Sequence, residues 1–245
     1  MLKKVLVIQH SLNVSPGHVT EFFKEHNIPF EILSIYDPDS ESKFPSDDTD
    51  QYSVIVSLGG PQGTYEEEQY PYLIWEKNFL AAQLALNRPI LGICLGAQLL
   101  ADVIGGHGYL GKYGYEVGYV QYRLTPSGQQ DRVIKKIFEE QDNSPLFIMH
   151  HKDSFDLPPN VTVLAYTSNN YIAAFRFGSA FCVQFHPEAS FNQFYQWVQR
   201  NKQNRPELYA NLDIDSLVEQ AERCESKAEN SRRLFFETWW NSLEL

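Results

Sequence analysis

Short apolar runs alternate with amphipathic stretches from the start of the chain to residue 104. Lys4–Gln9, Phe30–Tyr36, Tyr52–Leu58 and Pro89–Ile93 are brief and rich in Val, Ile and Leu, and read as buried strands. Between them, Gly17–His26, Tyr72–Leu86 and Leu95–Ile104 carry apolar residues at helical spacing. In Tyr72–Leu86 the set Leu73, Trp75, Phe79, Leu80, Leu84 and Ala85 falls on or near one face. The acidic, polar stretch from Asp37 to Asp50 reads as a loop. Strands alternating with helices predict an α/β fold, a mainly parallel sheet flanked by helices. Functional loops in such folds lie at the carboxyl ends of the strands.

The rhythm changes after residue 105. Val117–Leu124 and Val161–Tyr166 read as strands and Arg132–Glu139 as a short helix. This predicts small β structure inserted before a returning strand, Phe181–Phe185. From Phe191 onward the pattern is helical. Ile214, Leu217, Val218, Ala221, Cys224, Ala228, Phe235 and Trp239 recur at intervals of three, four or seven. Such a stripe faces the molecule's own core more often than a partner. Residues 1–190 are expected to form one domain, with 191–245 a C-terminal helical extension packed on it. The sequence has no internal repeat, no low-complexity segment and no linker to a second folded unit.

Composition narrows the function classes. The 245 residues suffice for one α/β domain with a sizeable core. Twenty basic and 31 acidic residues leave a net charge of −11, with no basic patch to follow a phosphate backbone. Nucleic acid and anionic membrane surfaces are therefore not expected partners. The opening Met-Leu-Lys-Lys-Val-Leu-Val-Ile has too short an apolar run for a secretory signal, and no segment has the length to span a bilayer. Cys94, Cys182 and Cys224 are widely spaced, with neither metal-ligand spacing nor a disulfide frame. A reducing, cytoplasmic setting is expected.

Two segments carry chemistry. Pro89–Leu100 joins an apolar run to a helical one through Gly-Ile-Cys-Leu-Gly, which places Cys94 on a sharp strand-to-helix turn. The helix N-terminus beneath it favours a thiolate. Phe181–Ser190 delivers His186 at the end of a strand, and Glu188 follows two positions on, across Pro187. Residues i and i+2 of an extended chain share a face, so Glu188 can hold the imidazole and leave its other nitrogen as a base. Cys94, His186 and Glu188 thus have the types of a nucleophile, a base and its orienter.

Three blocks in order now resemble the class I glutamine amidotransferases, a flavodoxin-like family. The resemblance is in particular to the stand-alone type, similar to the glutaminase domain of GMP synthetase. Leu58-Gly59-Gly60-Pro61 resembles the family's oxyanion strand, Gly92-Ile93-Cys94-Leu95-Gly96-Ala97-Gln98 its nucleophile turn, and Gln184-Phe185-His186-Pro187-Glu188 its His/Glu block. Weaker similarity runs through Gly114–Tyr119 and His151–Pro159. The resemblance implies that Gly59, Gln98 and Asp153 contact the substrate, with Asp153 meeting its α-ammonium. Glu116 resembles a retained acid of the same group. Lys152 departs from the family's usual glycine beside Asp153. His150 and His151 are adjacent, but no third ligand lies near in sequence, so neither a metal nor a cofactor is expected.

On this reading Cys94 attacks the side-chain amide of glutamine, with the backbone N–H groups of Gly60 and Leu95 meeting the oxyanion. His186 protonates the departing ammonia, and water then releases glutamate. A separate synthase chain is the possible ammonia acceptor. Three other readings stay open. They are a stand-alone hydrolase of γ-glutamyl amides or peptides, a non-catalytic binding protein on the same fold, and a redox-sensing cysteine protein.

Overall fold

The computed structural model describes residues 3–243; Met1, Leu2, Glu244 and Leu245, the ends of the two expected segments, lie outside it. Its centre is an eight-stranded sheet. The strands are β1 (Lys4–Gln9), β2 (Phe30–Ser34), β3 (Tyr52–Ser57), β4 (Ile90–Ile93), β7 (Tyr122–Leu124), β10 (Thr162–Thr167), β11 (Ile172–Phe177) and β12 (Ala180–Val183). In space the order is β2-β1-β3-β4-β12-β11-β10-β7. The run from β2 to β12 is parallel, and β11, β10 and β7 continue it antiparallel. Two antiparallel pairs stand apart: β5 (His107–Leu110) with β9 (Asp153–Asp156), and β6 (Glu116–Tyr119) with β8 (Ile148–His151).

Strand alternation divides the apolar residues between two faces. Val5 and Val7 of β1 join one cluster with α1 (His18–Glu25), α4 (Ile134–Glu139) and α6 (Ile214–Asn241). Leu6 and Ile8 join the other, under α2 (Tyr72–Ala85) and α3 (Leu95–Val103). Phe235, Phe236 and Trp239 anchor α6 in the first cluster, each worth roughly 1.5–3 kcal/mol of burial. The stripe along α6 therefore faces the molecule itself. A third cluster joins α5 (Phe191–Asn204) to β6 and β8 through Phe194, Val198, Val117 and Ile148. Ser190 and Gln193 close a capping box that starts α5 where the strand-end segment stops. No described helix is long and apolar enough to cross a membrane.

Several expected boundaries move for local reasons. Val117–Leu124 is two strands in different sheets, broken after Tyr119 and bent at Gly118, whose φ is 82°. The Phe30 strand stops at Ser34, because Asp37 N–H folds back onto the Ser34 carbonyl. Inside the Asp37–Asp50 loop, Pro38–Lys43 forms a 3₁₀ turn capped by the Asp37 carboxylate. The short helix begins at Ile134, where the Asp131 carboxylate accepts from Val133 and Ile134 N–H. The returning strand ends at Val183, short of Phe185.

Candidate active site

Three neighbouring strand ends meet where the site lies. Cys94 follows β4 with φ 51° and ψ −105°, a conformation that costs a non-glycine residue about 1–3 kcal/mol. Its N–H donates to Val183 at the end of β12 (2.9 Å), and Gly96 N–H donates to Leu58 after β3 (3.1 Å). These bonds tie the turn to both flanking strands. A Cβ on Gly96 would lie 2.2 Å from the Ser57 carbonyl oxygen, so only glycine lets α3 approach β3 this closely. The side chain of Cys94 is buried except for the part facing a cavity of about 510 Å³.

His186 and Glu188 follow β12, the strand paired with β4. Glu188 is fully buried and accepts from His186 Nδ1 at 2.6 Å. A carboxylate only accepts, so Nδ1 carries a proton and Nε2 is the nitrogen left for Cys94. The imidazole and the Cys94 side chain flank one point, where a Cβ on Gly59 would lie 2.8 Å from His186 Cε1 and 3.4 Å from Cys94 Cβ, and both groups line the cavity. Burial alone would push this histidine down, but the Glu188 charge and then the Cys94 sulfur outweigh it and raise it to about 10. Trp197 of α5 covers the ring edge-on, with centroids 4.9 Å apart. His186 N–H donates to Ile148 at 2.8 Å, which fixes the strand end against β8.

Gly59 and Gly60 follow β3, the strand on the other side of β4. A Cβ on Gly59 would fall 2.8 Å from His186 Cε1, so the glycine makes room for the imidazole. Gly59 does not line the cavity; Gly60 does. The Leu95 side chain is in the core, and its peptide follows Cys94 directly. Among the described residues, neither Gly60 N–H nor Leu95 N–H has a hydrogen-bond acceptor. Behind Gly59 lies a buried polar group. His10 Nδ1 meets the Gly59 carbonyl at 3.3 Å and Nε2 meets Glu76 at 2.6 Å, while Ser57 donates to the other Glu76 oxygen at 2.7 Å.

The far wall is polar. Gln98 and Asp153 both line the cavity, and Gln98 Nε2 donates to the Asp153 carbonyl (3.1 Å) and to Gln184 Oε1 (3.2 Å). Asp153 lies at the start of β9, half-buried, and accepts from the Tyr65 hydroxyl at 2.9 Å. Burial raises the Asp153 carboxyl above its usual range, against the lowering effect of Tyr65. Burial and then Asp153 push Tyr65 up to about 12. Glu116 is buried behind this wall, accepting from His151 Nε2 (2.9 Å) and Asn169 (3.0 Å), while His151 Nδ1 donates to the Asp153 carbonyl (2.9 Å). Glu116 thus braces the backbone that presents Asp153. Lys152 is exposed at the rim.

His150 is half-buried between the hydroxyls of Tyr115 (3.2 Å) and Tyr209 (2.8 Å), and desolvation followed by the nearby His186 pushes it down to about 3. No group of three metal-ligating side chains occurs among the described residues. Cys182 is fully buried, which pushes its thiol up.

Sequence reasoning missed several residues here. His10 stands just after β1, much as His186 stands just after β12, and that position was its available signal. Glu76 lies on the apolar face of α2 with Leu73, Phe79 and Leu80, where a carboxylate needs partners. Trp197, Arg200, Asn201 and Arg205 bring α5 and its end to the cavity wall, which helical periodicity does not foretell.

The chain is similar to known proteins in both sequence and fold. The family profile described as glutamine amidotransferase class-I matches residues 18–203. A solved glutamine amidotransferase from Thermotoga maritima is 31% identical, covers 97% of each chain and superposes with a TM-score of 0.80. One from Methylobacillus flagellatus shares the fold at 20% identity, covering 100% of this chain and 96% of its own, with a TM-score of 0.78. The glutamine-hydrolysing GMP synthase of Pyrobaculum aerophilum is 32% identical over 149 residues, 57% of this chain and 25% of that protein. The chain spans about a quarter of the length of the GMP synthases it matches.

Proposed function

The chain belongs to the class-I glutamine amidotransferase family, and from that premise we propose that it is a glutaminase that releases ammonia from glutamine through a Cys94 thioester. The observation that carries the proposal is the His186–Glu188 pair, with its remaining ring nitrogen available to Cys94 inside the cavity. Cys94 Sγ attacks the amide carbon, and the carbonyl oxygen takes the negative charge toward Gly60 and Leu95 N–H. Imidazolium His186 passes its proton to the amide nitrogen, the C–N bond breaks and ammonia leaves. Water then gives a proton back to His186 while its oxygen attacks the thioester carbon. The C–S bond breaks and glutamate departs.

Gln98 shapes the side wall, and Asp153 with Tyr65 offers the α-ammonium a carboxylate. Gly59 serves the site by giving His186 room, rather than by touching substrate. Residues 1–190 supply the catalytic groups. The C-terminal extension, over its described residues 191–243, belongs to the same packed unit and completes the cavity through Trp197 and Arg205. A separate synthase chain is the ammonia acceptor on this reading. Purified protein incubated with glutamine should release ammonia and glutamate, and Cys94→Ala should lower the rate by about 10⁶-fold. No release by the unmodified protein rejects the proposal.

A second reading has its own support. The cavity continues past Gln98 to Arg200, Asn201 and Arg205, leaving room beyond a single glutamine. That space and its two cations suit a γ-glutamyl peptide with an anionic end. Faster turnover of γ-glutamyl peptides than of glutamine would select this reading.

A further inference from the structure

The buried group behind Gly59 is not used by the chemistry above. His10, Glu76 and Ser57 are fully buried, and the Glu76 carboxylate has one acceptor oxygen on each neighbour. Burying a carboxylate is costly unless each oxygen is satisfied, so such a group persists where it holds something in place. What it holds is the Gly59 carbonyl. An oxygen of a peptide cannot donate, so at 3.3 Å His10 Nδ1 is the donor. No cis peptide occurs among the described residues, and in a trans peptide the C=O and the next N–H point in opposite directions. With its carbonyl drawn back to His10, the Gly59–Gly60 peptide turns Gly60 N–H the other way. That N–H has no acceptor among the described residues, and Gly60 lines the cavity with Cys94.

We infer that His10, backed by Glu76 and Ser57, is a positioning residue for the oxyanion hole: it anchors the Gly59 carbonyl so that Gly60 N–H faces the developing negative oxygen. Gln62 adds a lock, donating to the His10 carbonyl at 3.1 Å and to the Tyr72 hydroxyl at 2.8 Å. Glycine at both positions lets this peptide rotate, so its orientation must come from an outside partner. The inference rests on the glutaminase reading for its substrate but on the peptide geometry for its content.

The test uses the full chain and two variants. His10→Leu removes the donor. His10→Asn keeps an amide nitrogen near the position of Nδ1. In His10→Leu, kcat for glutamine should fall by about 10²-fold with KM little changed, the signature of a contact made in the transition state. His10→Asn should recover part of that loss. Alkylation of Cys94 by iodoacetamide displaces iodide at a tetrahedral carbon and forms no oxyanion. Its rate should be the same in all three proteins. A wild-type kcat in His10→Leu overturns the inference, as does an Asn variant no faster than Leu. Alkylation lost in parallel with kcat overturns it too, because His10 would then act on the thiol or the fold. If the unmodified protein releases no ammonia, the glutaminase reading fails, and a crystal structure of His10→Leu still decides. A rotated Gly59–Gly60 peptide supports the anchoring role, and an unmoved one overturns it.

Discussion

Two histidines at the carboxyl ends of parallel strands, His10 after β1 and His186 after β12, are built alike and placed to do different things. Each is buried and each meets a buried glutamate at 2.6 Å. They differ in the second nitrogen. In His10 it is spent on a backbone carbonyl at 3.3 Å, whereas in His186 it opens on the cavity beside Cys94. His151 repeats the first arrangement, with Glu116 on one nitrogen and the Asp153 carbonyl on the other. A histidine–carboxylate pair is therefore no signature of proton transfer by itself. What the free nitrogen faces decides whether the pair is a relay or a bracket.

Changing the carboxylates separates the two arrangements. Glu188→Gln should reduce kcat by about 10⁴-fold, because the imidazole loses both its tautomer control and its counter-charge. The variant should also alter the pH profile. Burial lowers His186, but Glu188 and Cys94 raise it to about 10, so the charged ring persists through neutral pH and is lost as pH climbs through that value. The associated stability is fully present below the ordinary 6.5 and fades above it, toward 10. An alkaline limb of kcat/KM near pH 10 is expected, moving to lower pH in Glu188→Gln. An unmoved limb removes Glu188 from its assigned part.

A smaller effect is expected at the substrate wall. Asp153→Asn should raise KM about 10- to 100-fold through loss of one charged hydrogen bond, with kcat less affected. Steady-state kinetics distinguishes this from a change at the reacting atoms. Glu76→Gln should cost about tenfold or less, because the amide can donate to His10 Nε2 and still accept from Ser57. A loss at Glu76 as large as at Glu188 erases the contrast between the two pairs. Least of all should the fold change: iodoacetamide should mark Cys94 before Cys182 in every variant that keeps Cys94, read by peptide mass, because Cys182 is fully buried with its thiol pushed up.

The sequence disclosed what is local and repeated. Cys94 was legible because glycines bracket it between a strand run and a helix run. The His186–Glu188 pair was legible because its partners are two residues apart, and α6 because its stripe extends through a 28-residue helix. His10 and Glu76 are 66 positions apart, and nothing in either neighbourhood names the other. The small sheets were harder still. β6 and β8 have four residues each, too few for a period, and they pair across an intervening strand and helix. Asp153 was recognised by its block but not as part of a strand, since the strand that holds it is completed by the distant His107–Leu110.

The hydrogen bond from Cys94 N–H to Val183, together with the β4–β12 pairing beside it, carries a kinetic consequence. It joins chain segments that are synthesised far apart, and contacts of that kind close late because the intervening loop must first be ordered. Helical signal should therefore return early during refolding from urea, and ammonia release only after this pairing has formed. The regain of glutaminase activity, on the reading proposed above, would then report when these two distant segments join.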